Sequence, residues 1–217
     1  MPMTIHVLGP TVPYDSNTYL IKADENILID TGTGMGSGPL VSRIRNLVGD
    51  QGLDRVILTH CHVDHIGGLK DIVKEFHCGV FASEMDSRII SAADSTFTLD
   101  THFGISLGPI PTDVIGDGDI ISLGEHNLRC IYTPGHTRGG LCLLDEVTGS
   151  LFSGDTLFAD SIGRTDFPSG SGQDLLESLI SLRSLEFSDL YPGHGSIVRG
   201  DAKKSLEYGI RMAEFYS

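Results

Sequence analysis

Six consecutive residues, His60-Cys61-His62-Val63-Asp64-His65, hold four side chains able to bind a metal, directly after the apolar run Val56-Ile57-Leu58. An amphipathic surface does not produce that pattern. Three more such residues recur far downstream in a similar setting: His136 in Thr-Pro-Gly-His-Thr, Asp155 in Phe-Ser-Gly-Asp-Thr and His194 in Tyr-Pro-Gly-His-Gly. Each follows an apolar run and sits at a glycine-containing turn. A fold that uses them together has to bring the ends of those runs to one place. The chemistry this suggests is two metal ions bridged by water.

Imidazole nitrogen and carboxylate oxygen both suit zinc, and imidazole also suits iron. His60 and His62 alternate at a strand end, so with a period of two they can point to one side and share an ion. Asp64 and His65 follow on the turn and can reach a neighbouring ion. A third histidine would complete each set. Asp155 is the natural bridge, because a carboxylate can bind one ion with each oxygen. Two ions about 3.5–4 Å apart would bring a bridging water to a near-neutral pKa. The resulting hydroxide attacks a carbonyl while one metal stabilises the oxyanion. Asp64 is expected to position the second ion and that nucleophile, which makes it the candidate catalytic residue.

An isolated histidine on an apolar strand is more often a satisfied core residue, and His6, His77 and His126 are read that way. His102 is read as a surface residue. Asp30, in Ile-Leu-Ile-Asp-Thr-Gly, is either a plain strand-ending acid or a partner that orients a ligand histidine from behind; the second reading is preferred. Cys61 lies between two candidate ligands, and as a strand-end neighbour its side chain is expected to point away from them.

Short strands are expected at Thr4–Leu8, Ser16–Lys22 and Asn26–Asp30, at Arg55–Thr59 just before the metal motif, and at Gly79–Ala82. Helical spacing marks Pro39–Val48 and Gly67–Phe76. The glycine-rich stretch Gly32–Gly38 matches neither a dinucleotide nor a P-loop pattern and reads as a flexible turn into a helix. A helix followed by a loop is the reading for Ser83–Thr112. A second β-rich half is expected from Asp113, with strands at Asp119–Leu123, Leu128–Thr133, Leu141–Asp145, Ser150–Ser153 and Leu190–Tyr191. Helices are expected at Asp174–Leu185 and roughly Ala202–Phe215. With 40% hydrophobic residues in 217, the chain can bury a sizeable core, and no repeat or linker interrupts it. The expectation is one domain, residues 1–217, with two packed sheets and helices outside. Loops after Gly32, over Ser83–Thr112 and over Ser161–Gly172 are expected to flank the site.

The formal charge is −14, so the chain repels phosphate backbones and anionic lipid. Neither a nucleic-acid nor a membrane partner is expected. The N-terminus has no basic region and no long apolar segment, so it is not read as a signal peptide. Four cysteines without a Cys-x-x-Cys pair fit thiols in a reducing compartment, and the cytoplasm is the expected location. Oligomeric state leaves no signature.

These residues resemble the metallo-β-lactamase-fold hydrolases over most of the chain. The family pattern matches at Asp30, His60-x-His62-x-Asp64-His65, His136, Asp155 and His194. The resemblance implies an α/β fold, an αββα sandwich of two mixed β-sheets flanked by helices. It also implies one ion on His60, His62, His136 and Asp155 and another on Asp64, His65, Asp155 and His194. The divalent ions are expected to be zinc first, with iron or manganese as alternatives. Within the superfamily, Ser161-Ile162-Gly163-Arg164-Thr165-Asp166-Phe167-Pro168 looks like the glyoxalase II branch, which hydrolyses hydroxyacylglutathione thioesters, and especially its short members. Persulfide dioxygenases carry a similar Gly-Arg-Thr-Asp-Phe stretch and a Cys as at Cys61, and use one iron on residues matching His60, His136 and Asp155. That is the alternative reading. Arg164 and Asp166 are taken as an ion pair fixing a loop near the site or as substrate contacts. Full-length glyoxalase II adds a C-terminal helical domain, whereas here about one helix of chain follows His194.

Overall fold

Apolar runs without alternation mark strands covered on both faces, and this chain has several. In the computed structural model, which describes residues 3–216, they become the centres of two sheets. Met1 and Pro2, with which the N-terminal reading opens, and Ser217 lie outside the described residues. The chain forms two compact units, one running to Val114 and including Leu123–Glu125, the other made of Ile115–Ser122 and the chain from His126 onward.

The first unit holds β1 (Thr4–Val7), β2 (Tyr19–Lys22), β3 (Asn26–Ile29), β4 (Arg55–Ile57), β5 (Gly79–Ala82) and β6 (Asp113–Val114), side by side in that order. β1, β2 and β3 pair antiparallel, and β3 through β6 pair parallel. All four residues of β3 are buried, as a strand inside a covered parallel array must be. The helices are α1 (Ser37–Val48), α2 (Val63–Ile66), α3 (Leu69–Phe76), α4 (Glu84–Ala92) and α5 (Ser95–Thr98). α1 buries Leu40, Ile44 and Val48 at a spacing of four, one stripe of a helix. Its Pro39 sits in the first turn, where backbone N–H groups have no intrahelical acceptor. α4 starts at Ser83, whose hydroxyl accepts from Asp86 N, with Glu84 and Asp86 adding negative charge to the first turn. The core joins Leu20, Leu28, Ile44, Val56, Leu58 and Ile72.

In the second unit the five-stranded sheet contains β7 (Ile120–Leu123), β8 (His126–Tyr132), β9 (Leu141–Asp145), β10 (Ser150–Gly154) and β11 (Asp189–Pro192), in the order β11-β10-β9-β8-β7. β10 pairs parallel with β11 and antiparallel with β9. Two helices, α6 (Gly172–Ser181) and α7 (Ala202–Tyr216), cover it. Leu175 and Leu179 of α6 and Leu206 and Ile210 of α7 pack with Leu144 and Leu151 of the sheet. The expected fold class, α/β with two mixed sheets flanked by helices, is the one observed. No helix among the described residues is long and apolar enough to cross a membrane.

Several local expectations change. The strand before the metal motif ends at Ile57 rather than Thr59, because the Asp30 side chain takes the Thr59 backbone N–H. The motif itself is helical from Val63, with His62 at the N-cap. Asp113–Val114 belongs to the first sheet, so the second β-rich half starts later than expected. The segment after Ser83 stays helical further than expected, with α5 and a 3-10 turn at Asp100–Phe103. His6, His77 and His126 are not core residues: His6 and His126 are half-buried and His77 is exposed. His77 ends α3 in the left-handed conformation, and His126 Nδ1 lies 3.0 Å from Asp145 Oδ2. His102 is exposed, as expected.

Candidate metal centre

In the first unit the construction begins at Asp30, which leaves β3 with φ 59°. Residues other than glycine adopt that region only where the surroundings enforce it. Here Asp30 N donates to Ile57 O at 3.1 Å. Its buried side chain accepts from Thr59 N at 2.9 Å and Thr59 Oγ1 at 2.8 Å, and meets His65 Nδ1 at 2.7 Å. Tying Nδ1 to the acid directs His65 Nε2 to the other side, where Asp64 Oδ2 lies 3.8 Å away. His60 Nδ1 lies 3.1 Å from the same Thr59 hydroxyl. The His60 ring centroid is 4.8 Å from that of His62 and 4.0 Å from that of His65. All three rings are buried. Cys61 turns the other way, as expected: its Sγ donates to Phe97 O at 3.7 Å within the apolar core. Burial, and then the charge of Asp86, push its thiol well above the usual value, which disfavours the thiolate a metal would need.

The turn bearing Asp64 and His65 is tied down by its neighbours. Thr31 N and Oγ1 donate to His65 O at 2.7 and 2.9 Å, and Ser16 N donates to Asp64 O at 3.1 Å. A Cβ on Gly67 would lie 2.0 Å from Thr33 O, so only glycine allows this approach. Gly32–Gly38 is therefore a clamped turn rather than a flexible one. The clamp is Asp15, which the sequence reading missed. It accepts from Thr11 N (3.0 Å), Thr11 Oγ1 (2.5 Å), Val12 N (3.0 Å), Thr33 N (2.8 Å) and Thr33 Oγ1 (2.5 Å). Burial alone would raise its pKa, but these hydrogen bonds outweigh it and hold the acid below its ordinary 3.8. A depressed folded value makes the contribution fully present above pH 3.8 and lost as pH falls through the folded value. Asp15→Asn is therefore expected to lower unfolding free energy by about 1–3 kcal/mol at pH 7. Urea unfolding of both proteins from pH 7 downward should show that gap closing only below about pH 4. A gap of equal size at every pH would show that Asp15 does not act as an ionised acceptor.

In the second unit Asp155 and His194 lie just beyond the paired ends of β10 and β11, where Gly154 stands opposite Pro192. Gly193 N donates to Gly154 O at 2.7 Å. This juxtaposition puts His194 Nε2 at 3.7 Å from Asp155 Oδ2. His136, on the turn after β8, brings its Nε2 to 3.6 Å from the same oxygen. Its Nδ1 lies 2.6 Å from Arg164 O. Arg164 and Asp166 form an exposed pair, with contacts of 2.9 and 2.6 Å. Gly163 permits the packing behind them, since a Cβ there would sit 1.9 Å from Asp155 O. Ile162, Arg164, Thr165, Asp166, Leu175 and Met212 border a cavity of about 390 Å³.

Each unit thus presents a set of His and Asp donors: His60, His62, Asp64 and His65 in the first, His136, Asp155 and His194 in the second. Imidazole Nε2 atoms, with Nδ1 of His60, His65 and His136 engaged elsewhere, together with carboxylate oxygens, are the donor chemistry of a divalent transition-metal site. Thr59, which contacts Asp30 and His60 together, was also missed; its place immediately before His60 was the available signal.

The sequence profile of the Metallo-beta-lactamase superfamily matches residues 11–194. The chain is 36% identical to a probable metallo-hydrolase of Methanocaldococcus jannaschii, over 85% of this chain and 89% of that one. It is 30% identical to a hydroxyacylglutathione hydrolase of Haemophilus influenzae, over 94% of this chain and 96% of that one. Among solved structures it is similar to that of TTHA1623 in a di-iron-bound form, with a TM-score of 0.73 and 27% identity over 94% of this chain and 96% of that one.

Proposed function

The chain belongs to the metallo-β-lactamase superfamily, and on that premise we propose that it is a metal-dependent hydrolase of thioesters, of the glyoxalase II kind. The observation that carries this reading is the near full-length similarity to a hydroxyacylglutathione hydrolase, 96% of which is covered. In this reading the two units form one domain and their donor sets act together. His60, His62, His136 and Asp155 would hold one divalent ion, and Asp64, His65, Asp155 and His194 would hold the other. When bound, such ions supply Lewis acidity and an activated water.

The chain's own side chains do the rest. Asp30 holds His65 through Nδ1 at 2.7 Å, and the Arg164 carbonyl holds His136 through Nδ1 at 2.6 Å. Asp64, the least buried member of the first set, with a side chain 19% exposed, orients the water. Hydrolysis of a thioester adds water across the acyl C–S bond: the carbon gains the hydroxyl group, and the sulfur leaves and takes the remaining proton. The cavity of about 390 Å³ beside Arg164 has the size of a small-ligand site and suits part of the thiol carrier. Zinc is the first choice of metal, with iron supported by the di-iron form of a similar structure. Four cysteines without a disulfide fit a cytoplasmic location.

The test is an anaerobic assay with S-lactoylglutathione on protein of measured metal content. Cleavage without oxygen is expected. Iron-dependent oxygen uptake with glutathione persulfide, and no thioester cleavage, would instead support the mononuclear dioxygenase.

A further inference from the structure

We propose that the Arg164–Asp166 pair is a latch that sets the His136 imidazole, through the Arg164 carbonyl, for metal binding; both are positioning residues. The inference rests on His136 being a ligand in the reading above. A carbonyl oxygen can only accept, so the 2.6 Å contact with Arg164 O makes Nδ1 of His136 the donor. Where that carbonyl points decides which imidazole nitrogen faces Asp155.

The loop around it is closed on itself. A Cβ on Gly163 would meet Asp155 O at 1.9 Å, and one on Gly170 would meet Thr165 O at 2.3 Å. Gly170 N donates to Phe167 O at 2.9 Å, and Ser171 N donates to Gly135 O at 2.8 Å, next to His136 itself. Between these anchors, Arg164 Nε and Nη2 reach the two oxygens of Asp166 at 2.9 and 2.6 Å. The guanidinium also lies 4.4 Å over the Phe167 ring, and that ring meets His136 edge-on at 6.5 Å. The latch therefore bears on His136 from its carbonyl side and its ring side. Both side chains are 65% exposed, so the pair adds little to stability. Holding the ligand geometry is what it contributes.

The experiment compares wild type, Asp166→Asn, Arg164→Lys and the reversed pair Arg164→Asp/Asp166→Arg. Three readouts are taken: zinc affinity by competition with a chromophoric chelator, the His136 tautomer in metal-free protein by ¹⁵N NMR, and Tm. Asp166→Asn is expected to weaken zinc binding at one site about tenfold and to mix the Nδ1–H and Nε2–H tautomers, with Tm unchanged. Arg164→Lys should lose nearly as much as Asp166→Asn, because an ammonium lacks the two-pronged geometry; the reversed pair should lose less. Unchanged affinity and tautomer in Asp166→Asn would overturn the latch, as would a Tm that falls in step with affinity. The tautomer readout needs no metal, so a wild type that binds no zinc defeats the metal reading separately. Mixed tautomers in the wild type would defeat the latch itself.

Discussion

Asp155→Ala is expected to lower thioester turnover at least about 10³-fold, which is about 4 kcal/mol of barrier at 1.36 kcal/mol per decade. The metal content of the purified protein should fall with it, from two ions per chain to one or none. The reason lies in the second unit. One oxygen of Asp155 sits 3.6 Å from His136 Nε2 and 3.7 Å from His194 Nε2, and in the proposed assignment those histidines serve different ions. Removing the acid takes one donor from each set at once. Loss of a single non-shared ligand, as in His62→Ala, should leave one ion tightly held. Elemental analysis of both variants alongside kcat/KM checks this. Two tightly bound ions and undiminished turnover in Asp155→Ala would end the shared-carboxylate assignment.

Asp64→Ala is expected to reduce kcat about 10²–10³-fold with the protein fully folded and saturated with metal, within the range for a group that positions a reacting partner. Asp64 lies in the first turn of α2, where an acid contributes only about 0.3–1 kcal/mol to the helix end. Its backbone carbonyl, which accepts from Ser16 N at 3.1 Å, survives the substitution. Tm should therefore move by a few degrees at most, while kcat collapses. Parallel measurement of kcat at saturating metal and of Tm separates the two effects. Near-normal kcat in the metal-replete variant would remove Asp64 from the chemistry.

Much of the architecture was legible because its signals are local. Unbroken apolar runs marked the strands β3 and β9, whose residues are all buried. The four-residue spacing of Leu40, Ile44 and Val48 gave α1. The candidate ligands were legible because four His and Asp residues cluster after one apolar run and three more recur after apolar runs at glycine turns. What was not legible depends on contacts distant in sequence. Nothing near Asp15 announces that Thr33, eighteen positions on, will donate to it twice. Thr59 ends β4 early only because Asp30 reaches across to its N–H. The period-two argument for His60 and His62 failed in detail, since the strand has already ended at Ile57, yet their rings still meet at 4.8 Å. The helical start at Val63 was hidden by a motif read as a turn. His77 was read as a core residue, but it is exposed because it ends α3 in the left-handed conformation.

The most direct measurement is anomalous X-ray diffraction from crystals of the metal-loaded protein, collected across the zinc and iron edges. Two peaks about 3.5–4 Å apart are expected, with the Asp155 carboxylate bound to both, Asp64 and His65 on one ion, and His60 and His62 on the other. A single peak that Asp155 does not touch, or no peak near these residues in catalytically active crystals, would contradict it.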